Sequence, residues 1–207
     1  MLDAPDAILA RLRRHALDRP DRPIYRFLRD DGGTQALTFG ELLRRVAGLA
    51  AVFQGHAAQG ERAILLYPPG LEFIEAFLAC LAAGLVAVPA YPPRRNRNGD
   101  RLRAILDDAR PRLILTTART VPLLEGDEAI AAGGALCLAT DGIDARPSDS
   151  WQFPPIRSET IAFLQYTSGS TGTPRGVIVT HGNLSANERA IEAGFGNTPD
   201  SVLVASK

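Results

Sequence analysis

The sequence is poor in sulfur and in lysine. Its 207 residues include two cysteines, one methionine and one tryptophan, and Lys207 is the only lysine among 23 basic residues. Cys80 and Cys137 stand far apart in apolar surroundings, with neither a Cys-x-x-Cys pair nor a nearby histidine. This pattern excludes a disulfide scaffold, and it predicts two buried structural thiols in a protein of the cytoplasm.

Net charge and long apolar runs are also lacking. The 23 basic residues are balanced by 23 acidic ones, so the composition gives no electrostatic reason to expect nucleic acid as a partner. The uncharged stretch 76–93 contains Gly84, Pro89, Pro92 and Pro93, and its apolar part is too short to cross a bilayer. The stretch predicts no membrane span; it predicts a buried helix that runs into a buried strand.

Short apolar segments alternate with amphipathic ones along most of the chain. Strands are predicted at "RAILLY", "LVAVPAY", "PRLILTT" and "ALCLAT", with helical segments between them. Strands that are apolar at nearly every position are typical of a parallel sheet with both faces covered. The predicted fold class is therefore α/β, with largely parallel sheets covered by helices.

Other elements are predicted before and after these strands. A helix is expected within residues 5–19, a hairpin at "PIYRFLRDDGGTQALTF", and a second helix after Thr38. Glu41 completes a capping-box pattern with that threonine. A further helix is predicted at 119–132, although it contains a proline and a glycine.

A segment rich in proline, aspartate and serine, residues 140–160, is predicted as a connector, with Trp151 as its anchor. It leads to the strand "IAFLQ", the loop 166–176 and a second strand, "GVIVT". The loop, "YTSGSTGTPRG", has three glycines and five serine or threonine side chains. The helix after the second strand begins near His181, for which a helix-entry role is predicted in preference to a general base.

The composition of this loop fits a polyphosphate. Glycine allows close backbone approach, so that successive N–H groups can point at one anion, and hydroxyls and Arg175 add further donors. The loop is not a Walker A motif, because it lacks the Gly-Lys-Ser/Thr ending and is followed by a strand. A Gly/Ser-rich surface turn is the alternative, but ordinary hairpin turns need only two to five residues.

The segment "YTSGSTGTPRGVIVTHGNL" closely resembles the phosphate-binding signature of the adenylate-forming (AMP-binding) superfamily. The upstream segments "ILLYPPGLEFIEAFLACLAAGLVAVPAYPPRRNR" and "RLRAILDDARPRLILTT" are similar to its fatty acyl-AMP ligase branch. The resemblance covers nearly the whole chain. It implies that residues 1–207 form an incomplete N-terminal region of the enzyme's large domain, with the connector 140–160 and the phosphate-binding loop 166–176.

The resemblance implies a reaction: a fatty acid attacks ATP, which binds together with Mg²⁺, and gives an acyl-adenylate and pyrophosphate. The acyl group then passes to the phosphopantetheine thiol of an acyl carrier protein. The residues that match the family's phosphate-binding loop are Thr167, Ser168, Gly169, Ser170, Thr171, Gly172, Arg175 and Gly176. Arg175 stands where the family usually has lysine.

The resemblance places the catalytic groups beyond residue 207 and provides no metal ligands within the chain. We therefore expect the chain alone to lack adenylation activity and to leave one edge of its sheet exposed. Two alternatives remain open: a non-catalytic nucleotide-binding or interaction remnant of the family, and part of an acyl-CoA synthetase. The arginine-rich run 92–103 is predicted as a solvated helix entrance, with binding to the phosphates of a carrier's cofactor arm or of nucleic acid as the alternative.

Overall fold

A computed structural model describes most of the chain, namely residues 8–29, 31–93, 100–126, 130–131, 133–144, 151–167, 174–198 and 200–204. The elements are, in chain order, α1 (Ile8–Asp18), β1 (Pro23–Leu28), β2 (Thr34–Thr38), α2 (Phe39–Gln54), β3 (Arg62–Leu66), α3 (Leu71–Ala83), β4 (Val86–Ala90), α4 (Asp100–Ala109), β5 (Leu113–Thr116), α5 (Val121–Leu124), β6 (Leu136–Ala139), β7 (Ile161–Thr167), β8 (Arg175–Thr180) and α6 (His181–Phe195).

Six of the eight strands in the described residues form one sheet in the order β6-β5-β3-β4-β7-β8. Every neighbouring pair is parallel except β7 and β8, which are antiparallel. This confirms the predicted α/β fold with a largely parallel sheet. Strand β8 lies at an edge of the described sheet, and there Val177 and Ile178 are half exposed or more, as expected for an edge strand.

The central strand β3 is buried on both faces. Ala63 and Leu65 belong to the apolar cluster formed with α2 and α3, whereas Ile64 and Leu66 belong to the cluster formed with α4. All four are fully buried. Alternate side chains of a strand point to opposite faces, so helices have to cover the sheet on both sides.

The N-terminal predictions agree with the structure. Helix α1 lies inside the predicted range, whose residues 5–7 fall outside the described part, and β1 and β2 form the predicted antiparallel hairpin. The Thr38 hydroxyl accepts from the Glu41 N–H at 3.2 Å, and the Glu41 carboxylate accepts from the Thr38 N–H at 2.9 Å. The capping box at the start of α2 is thus confirmed.

The uncharged stretch 76–93 forms the end of α3 and all of β4, as predicted. Gly84 ends the helix in a left-handed conformation, with φ +77°, and the buried strand follows at once. Such a φ is costly for any other residue type, so glycine is needed at this turn. In the described part of the chain, no helix has both the length and the apolar character that a bilayer span requires.

Two predictions differ from the structure. Of the helix expected at 119–132, the structure describes one turn at Val121–Leu124, which ends before Gly126, and two further helical residues, 130 and 131; residues 127–129 and 132 lie outside the described part. Cys80 is buried as predicted, but Cys137 is exposed. The cysteine prediction failed because β6 is an edge strand, so that neighbouring elements cover only part of its surface.

The segment around Trp151 lies against the ends of α2 and α3. The indole N–H of Trp151 donates to the carbonyl of Ala82 at 3.3 Å, and the Gln54 amide donates to the carbonyl of Gln152 at 2.7 Å. Trp151 therefore anchors its segment to the protein, as predicted. Residues 145–150 of the predicted connector lie outside the described part.

An ion pair joins α2 to α3 inside this layer. Arg45 Nε lies 2.7 Å from Glu75 Oε2; the glutamate side chain is 4% exposed and the arginine side chain 42%. Burial raises the pKa of the Glu75 carboxyl, and the nearby guanidinium opposes that shift. A buried carboxylate needs such a partner. Removal of the arginine would therefore leave an unpaired charge inside the protein, which is strongly destabilising.

We expect Arg45→Ala to lower the free energy of unfolding by about 2–3 kcal/mol at neutral pH, because it leaves the Glu75 carboxylate buried and unpaired. The folded-state pKa of Glu75 lies above its unfolded value, so stability falls as pH rises through that interval. Without Arg45 the folded-state pKa of Glu75 rises further above its unfolded value. The loss of unfolding free energy in Arg45→Ala, relative to wild type, should therefore become smaller as pH falls toward about 5. Urea unfolding at both pH values measures this.

Arg44→Ala is the matched control, since it removes an exposed arginine from the same helix. It should change the unfolding free energy by less than about 0.5 kcal/mol at either pH. An Arg45→Ala deficit that is equal at both pH values would contradict the assignment to Glu75.

Candidate phosphate-binding site

A cavity of about 710 Å³ lies at the carboxyl ends of β3 and β4, beside the end of β7. The chain passes from β3 to β4 on one side and then returns to β5 on the other side of β3. Open α/β sheets bind ligands at such a switch point, outside the carboxyl ends of the strands. The position alone therefore makes this cavity the candidate site.

The described lining of the cavity is mostly aromatic and proline-rich. Tyr67, Phe73, Tyr91 and Tyr166 contribute aromatic surface, and Arg101 is the only charged side chain among the described lining residues. An apolar cavity with few polar groups is typical of small-molecule sites in proteins. Its chemistry suits a largely apolar group next to an anion.

A buried hydroxyl network fixes the sheet beside the cavity. Tyr67 Oη lies 2.8 Å from Thr140 Oγ1, whose hydroxyl donates to the Thr116 carbonyl at 3.3 Å, and Thr116 Oγ1 donates to the Leu66 carbonyl at 2.6 Å. Burial raises the pKa of Tyr67, so this phenol stays protonated. The network connects the ends of β3 and β5 with the turn after β6 through side chains.

The sequence analysis missed these three hydroxyl residues. A usable signal was present: each of the apolar segments "RAILLY", "PRLILTT" and "ALCLAT" ends in a tyrosine or threonine. Because parallel strands end at the same edge, such terminal residues come together in the fold.

The predicted phosphate-binding loop joins β7 to β8. Tyr166 pairs with Gly176 and Thr167 pairs with Arg175 in the antiparallel register, which confirms a loop set between two strands. Of the eight predicted binding residues, the structure describes three, Thr167, Arg175 and Gly176, at the ends of the two strands. The remaining five lie outside the described residues: Ser168, Gly169, Ser170, Thr171 and Gly172.

Arg175 and Thr167 lie across from each other at the base of this loop, and both are exposed. Within the part of the chain that the structure describes, no carboxylate forms an ion pair with Arg175. The guanidinium is therefore available to an anionic ligand, which it can bind through two parallel hydrogen bonds.

Tyr166, the residue before Thr167, is buried at 4% exposure and reaches α4. Its hydroxyl donates to Asp108 Oδ2 at 2.5 Å, and Arg101 donates to its backbone carbonyl at 3.3 Å. Burial, and after it the Asp108 carboxylate, raises the pKa of Tyr166. The sequence analysis included Tyr166 in the loop but assigned no role to it or to its two α4 partners.

His181 begins α6 directly after β8. Thr180 caps this helix by accepting from the Asn183 N–H at 3.1 Å, and the backbone N–H of His181 donates to the Thr160 carbonyl at 2.9 Å. The side chain is buried, which lowers its pKa. The described residues provide no carboxylate ion pair for its imidazole. The predicted helix-entry position is confirmed.

A family model described as AMP-binding enzyme matches residues 12–206. A medium-chain-fatty-acid–[acyl-carrier-protein] ligase from Moorena producens, JamA, is 41% identical over 188 residues, which cover 87% of this chain and 32% of that protein. A long-chain-fatty-acid–AMP ligase from Mycobacterium tuberculosis, FadD23, is 39% identical over 180 residues, with 81% and 29% covered. The chain thus spans about a third of the length of these relatives.

A fatty acyl-adenylate ligase from Legionella pneumophila, solved in complex with acyl adenylate and pyrophosphate, has a similar structure. The TM-score is 0.85 at 34% sequence identity, and the match covers 93% of this chain and 33% of that one. Sequence and structure agree on the family, so the chain belongs to the AMP-binding enzymes, and its homologues there include fatty acyl-AMP ligases.

Proposed function

We propose that this chain provides the phosphate-binding part of an enzyme that activates a fatty acid with ATP. The products are an acyl-adenylate and pyrophosphate, and the acyl group then passes to the thiol of an acyl carrier protein, with AMP as the leaving group. One observation carries the proposal: the strand pair β7–β8 holds Thr167 and Arg175 together at the base of the loop, beside the cavity at the switch point.

The reaction brings two anions together. A carboxylate oxygen attacks the α-phosphorus of ATP, the bond from that phosphorus to the bridging oxygen breaks, and pyrophosphate leaves with the electron pair. Preorganised donors have to neutralise charge on the phosphates while this occurs. An exposed Arg175 with the Thr167 hydroxyl opposite provides a fixed charge and a donor where the two strands end.

Arginine in place of the family's usual lysine changes the contact but keeps the charge. A guanidinium binds phosphate oxygens in a bidentate manner and stays protonated, whereas an ammonium acts as a compact point charge. We propose that ATP binding is retained and that the geometry of the leaving pyrophosphate differs, so that turnover is the more sensitive quantity.

Mg²⁺ fits this site as a metal that arrives with the nucleotide. The described residues contain no group of three or more histidine, cysteine, aspartate or glutamate side chains arranged to hold a metal ion. The predicted loop offers hydroxyls, backbone N–H groups and an arginine, all of which suit phosphate oxygens. Bound with ATP, the ion would neutralise phosphate charge.

An acyl carrier protein is the acceptor that we propose in preference to coenzyme A. JamA, a medium-chain-fatty-acid–[acyl-carrier-protein] ligase, matches 87% of this chain at 41% identity. We also place the reaction in the cytoplasm, where the two free thiols, Cys80 and Cys137, would stay reduced.

Arg175→Ala should weaken the binding of tripolyphosphate to the chain by about 10-fold, because a charge-assisted contact to phosphate is lost. Arg175→Lys should stay within about 3-fold of wild type, since the charge remains. Isothermal titration calorimetry measures both affinities.

The matched control is Arg26→Ala, which removes an exposed arginine from the hairpin and should leave the affinity unchanged. Equal losses for Arg26→Ala and Arg175→Ala would show that only overall charge matters. That outcome would count against a site at the loop.

A chimaera tests the reaction itself. In it, residues 12–206 of this chain replace the matching segment of the Legionella fatty acyl-adenylate ligase. We expect ATP–pyrophosphate exchange that depends on added fatty acid and falls when Arg175 is changed to alanine, because the chain then provides the phosphate contacts.

The chimaera's thermal unfolding is measured first, so that a misfolded protein is recognised. A folded chimaera without exchange would favour a non-catalytic remnant of the family. Exchange with amino acids in place of fatty acids would contradict the substrate class.

A further inference from the structure

We infer that helix α4 positions the phosphate-binding loop by holding Tyr166 at both ends. The set of residues involved, Arg101, Asp108, Tyr166 and Gly176, is called here the Tyr166 bracket. The inference rests on the proposed function, since it gives the bracket the task of aligning a phosphate-binding loop. It adds to that function two residues, Arg101 and Asp108, that lie far from the loop in sequence.

One side of α4 holds Tyr166 at two points. Arg101 in the first turn donates to the Tyr166 carbonyl at 3.3 Å, and Asp108 in the last turn accepts from the Tyr166 hydroxyl at 2.5 Å. Residues seven apart in a helix lie on the same side, two turns from each other. The helix therefore spans the tyrosine from its backbone to the tip of its ring.

Apolar contacts fill the space between these two hydrogen bonds. Leu102 and Ile105 of α4 belong to the same buried cluster as Tyr166, together with Ile64 and Leu66 of the central strand. The ring is thus fixed against the face of the sheet that α4 covers, beside the central strand β3, which is buried on both faces. An anchor on this strand is rigid, because its surroundings are close-packed.

The ring in turn fixes the second strand of the loop. A Cβ built on Gly176 would lie 3.0 Å from Tyr166 Cζ and 3.3 Å from its Oη. A side chain at position 176 would press on the ring and displace it by a few tenths of an ångström, so glycine suits this close approach. Tyr166 and Gly176 are also paired in the register, so the ring holds both strands at the same level.

The residues next to this pair are Thr167 and Arg175, which form the following pair at the base of the loop. Displacements of about 1 Å can lower catalytic rates substantially, so donors that bind phosphate need a rigid support. The bracket provides that support from outside the loop. Asp108, Arg101 and Tyr166 are therefore positioning residues, and the contact to phosphate belongs to the loop.

Burial of the ring alone does not account for the bracket. Phenylalanine would fill the same apolar space, whereas the hydroxyl of Tyr166 ends on a carboxylate of α4. A hydrogen bond to a carboxylate is stronger than one between neutral groups. The pair therefore adds orientation to a ring that packing already retains.

The test compares four variants in the 207-residue chain: Asp108→Ala, Asp108→Asn, Tyr166→Phe and the control Asp107→Ala. Asp107 is the exposed neighbour of Asp108 on α4, so its removal changes charge equally without touching the bracket. Asparagine retains an oxygen that can accept from the tyrosine hydroxyl. Each variant is examined by hydrogen–deuterium exchange of peptides covering 161–180 and by calorimetric titration with tripolyphosphate.

We expect Asp108→Ala and Tyr166→Phe to speed exchange in peptides covering 161–180 by about 5-fold and to weaken tripolyphosphate binding by about 5- to 10-fold, in line with loss of one charge-assisted hydrogen bond. Asp108→Asn should restore both values to within about 2-fold of wild type. Asp107→Ala should change neither. A general loss of stability would instead speed exchange across the whole sheet.

Unchanged exchange at 161–180 in both Asp108→Ala and Tyr166→Phe overturns the inference, as does unchanged binding in a wild-type chain that binds tripolyphosphate. Failure of Asp108→Asn to restore binding also overturns it. A wild-type chain that does not bind tripolyphosphate overturns the proposed function instead, and the exchange rates then decide alone whether the bracket holds the two strands.

Discussion

Strand β3 is buried on both faces, and this constraint determines how the neighbouring strands and helices are arranged. Ala63, Ile64, Leu65 and Leu66 are fully buried, and each such side chain contributes on the order of 1–3 kcal/mol through loss of apolar surface from water. A strand of this kind needs parallel neighbours and a helical layer on each side. The arrangement β3-α3-β4-α4-β5 satisfies both needs and places α3 and α4 on opposite faces.

The same constraint concentrates polar chemistry at one edge. Polar side chains that the apolar core would not accommodate lie at the ends of the strands. Tyr67, Thr116 and Thr140 form a hydrogen-bonded network there. The cavity lies above this edge, and β7 ends beside it with Tyr166. The site is therefore not a separate addition to the fold: its floor consists of the ends of the strands that form the core.

The sequence alone predicted the main elements, because apolar periodicity, the capping box at Thr38 and the glycine turn at Gly84 are local signals. It failed where the outcome depends on neighbours distant in the chain. Cys137 looks like a core residue by composition, yet it lies on an edge strand. Likewise, the composition of the loop indicated that it binds phosphate. The hydrogen bond from Tyr166 to Asp108, in contrast, joins residues 58 positions apart, and no local sequence pattern predicts it.

The two faces of the sheet carry different kinds of residues. The α2–α3 face holds the larger apolar cluster and the ion pair between helices, and it contributes Tyr67 and Phe73 to the cavity wall, whereas the α4 face contributes Leu102 and Ile105. Substitutions that repack the first face away from Tyr67 and Phe73 can gain thermal tolerance at little cost to ligand binding, while the cavity-lining residues of both faces are where substrate preference can diverge among relatives of the same fold.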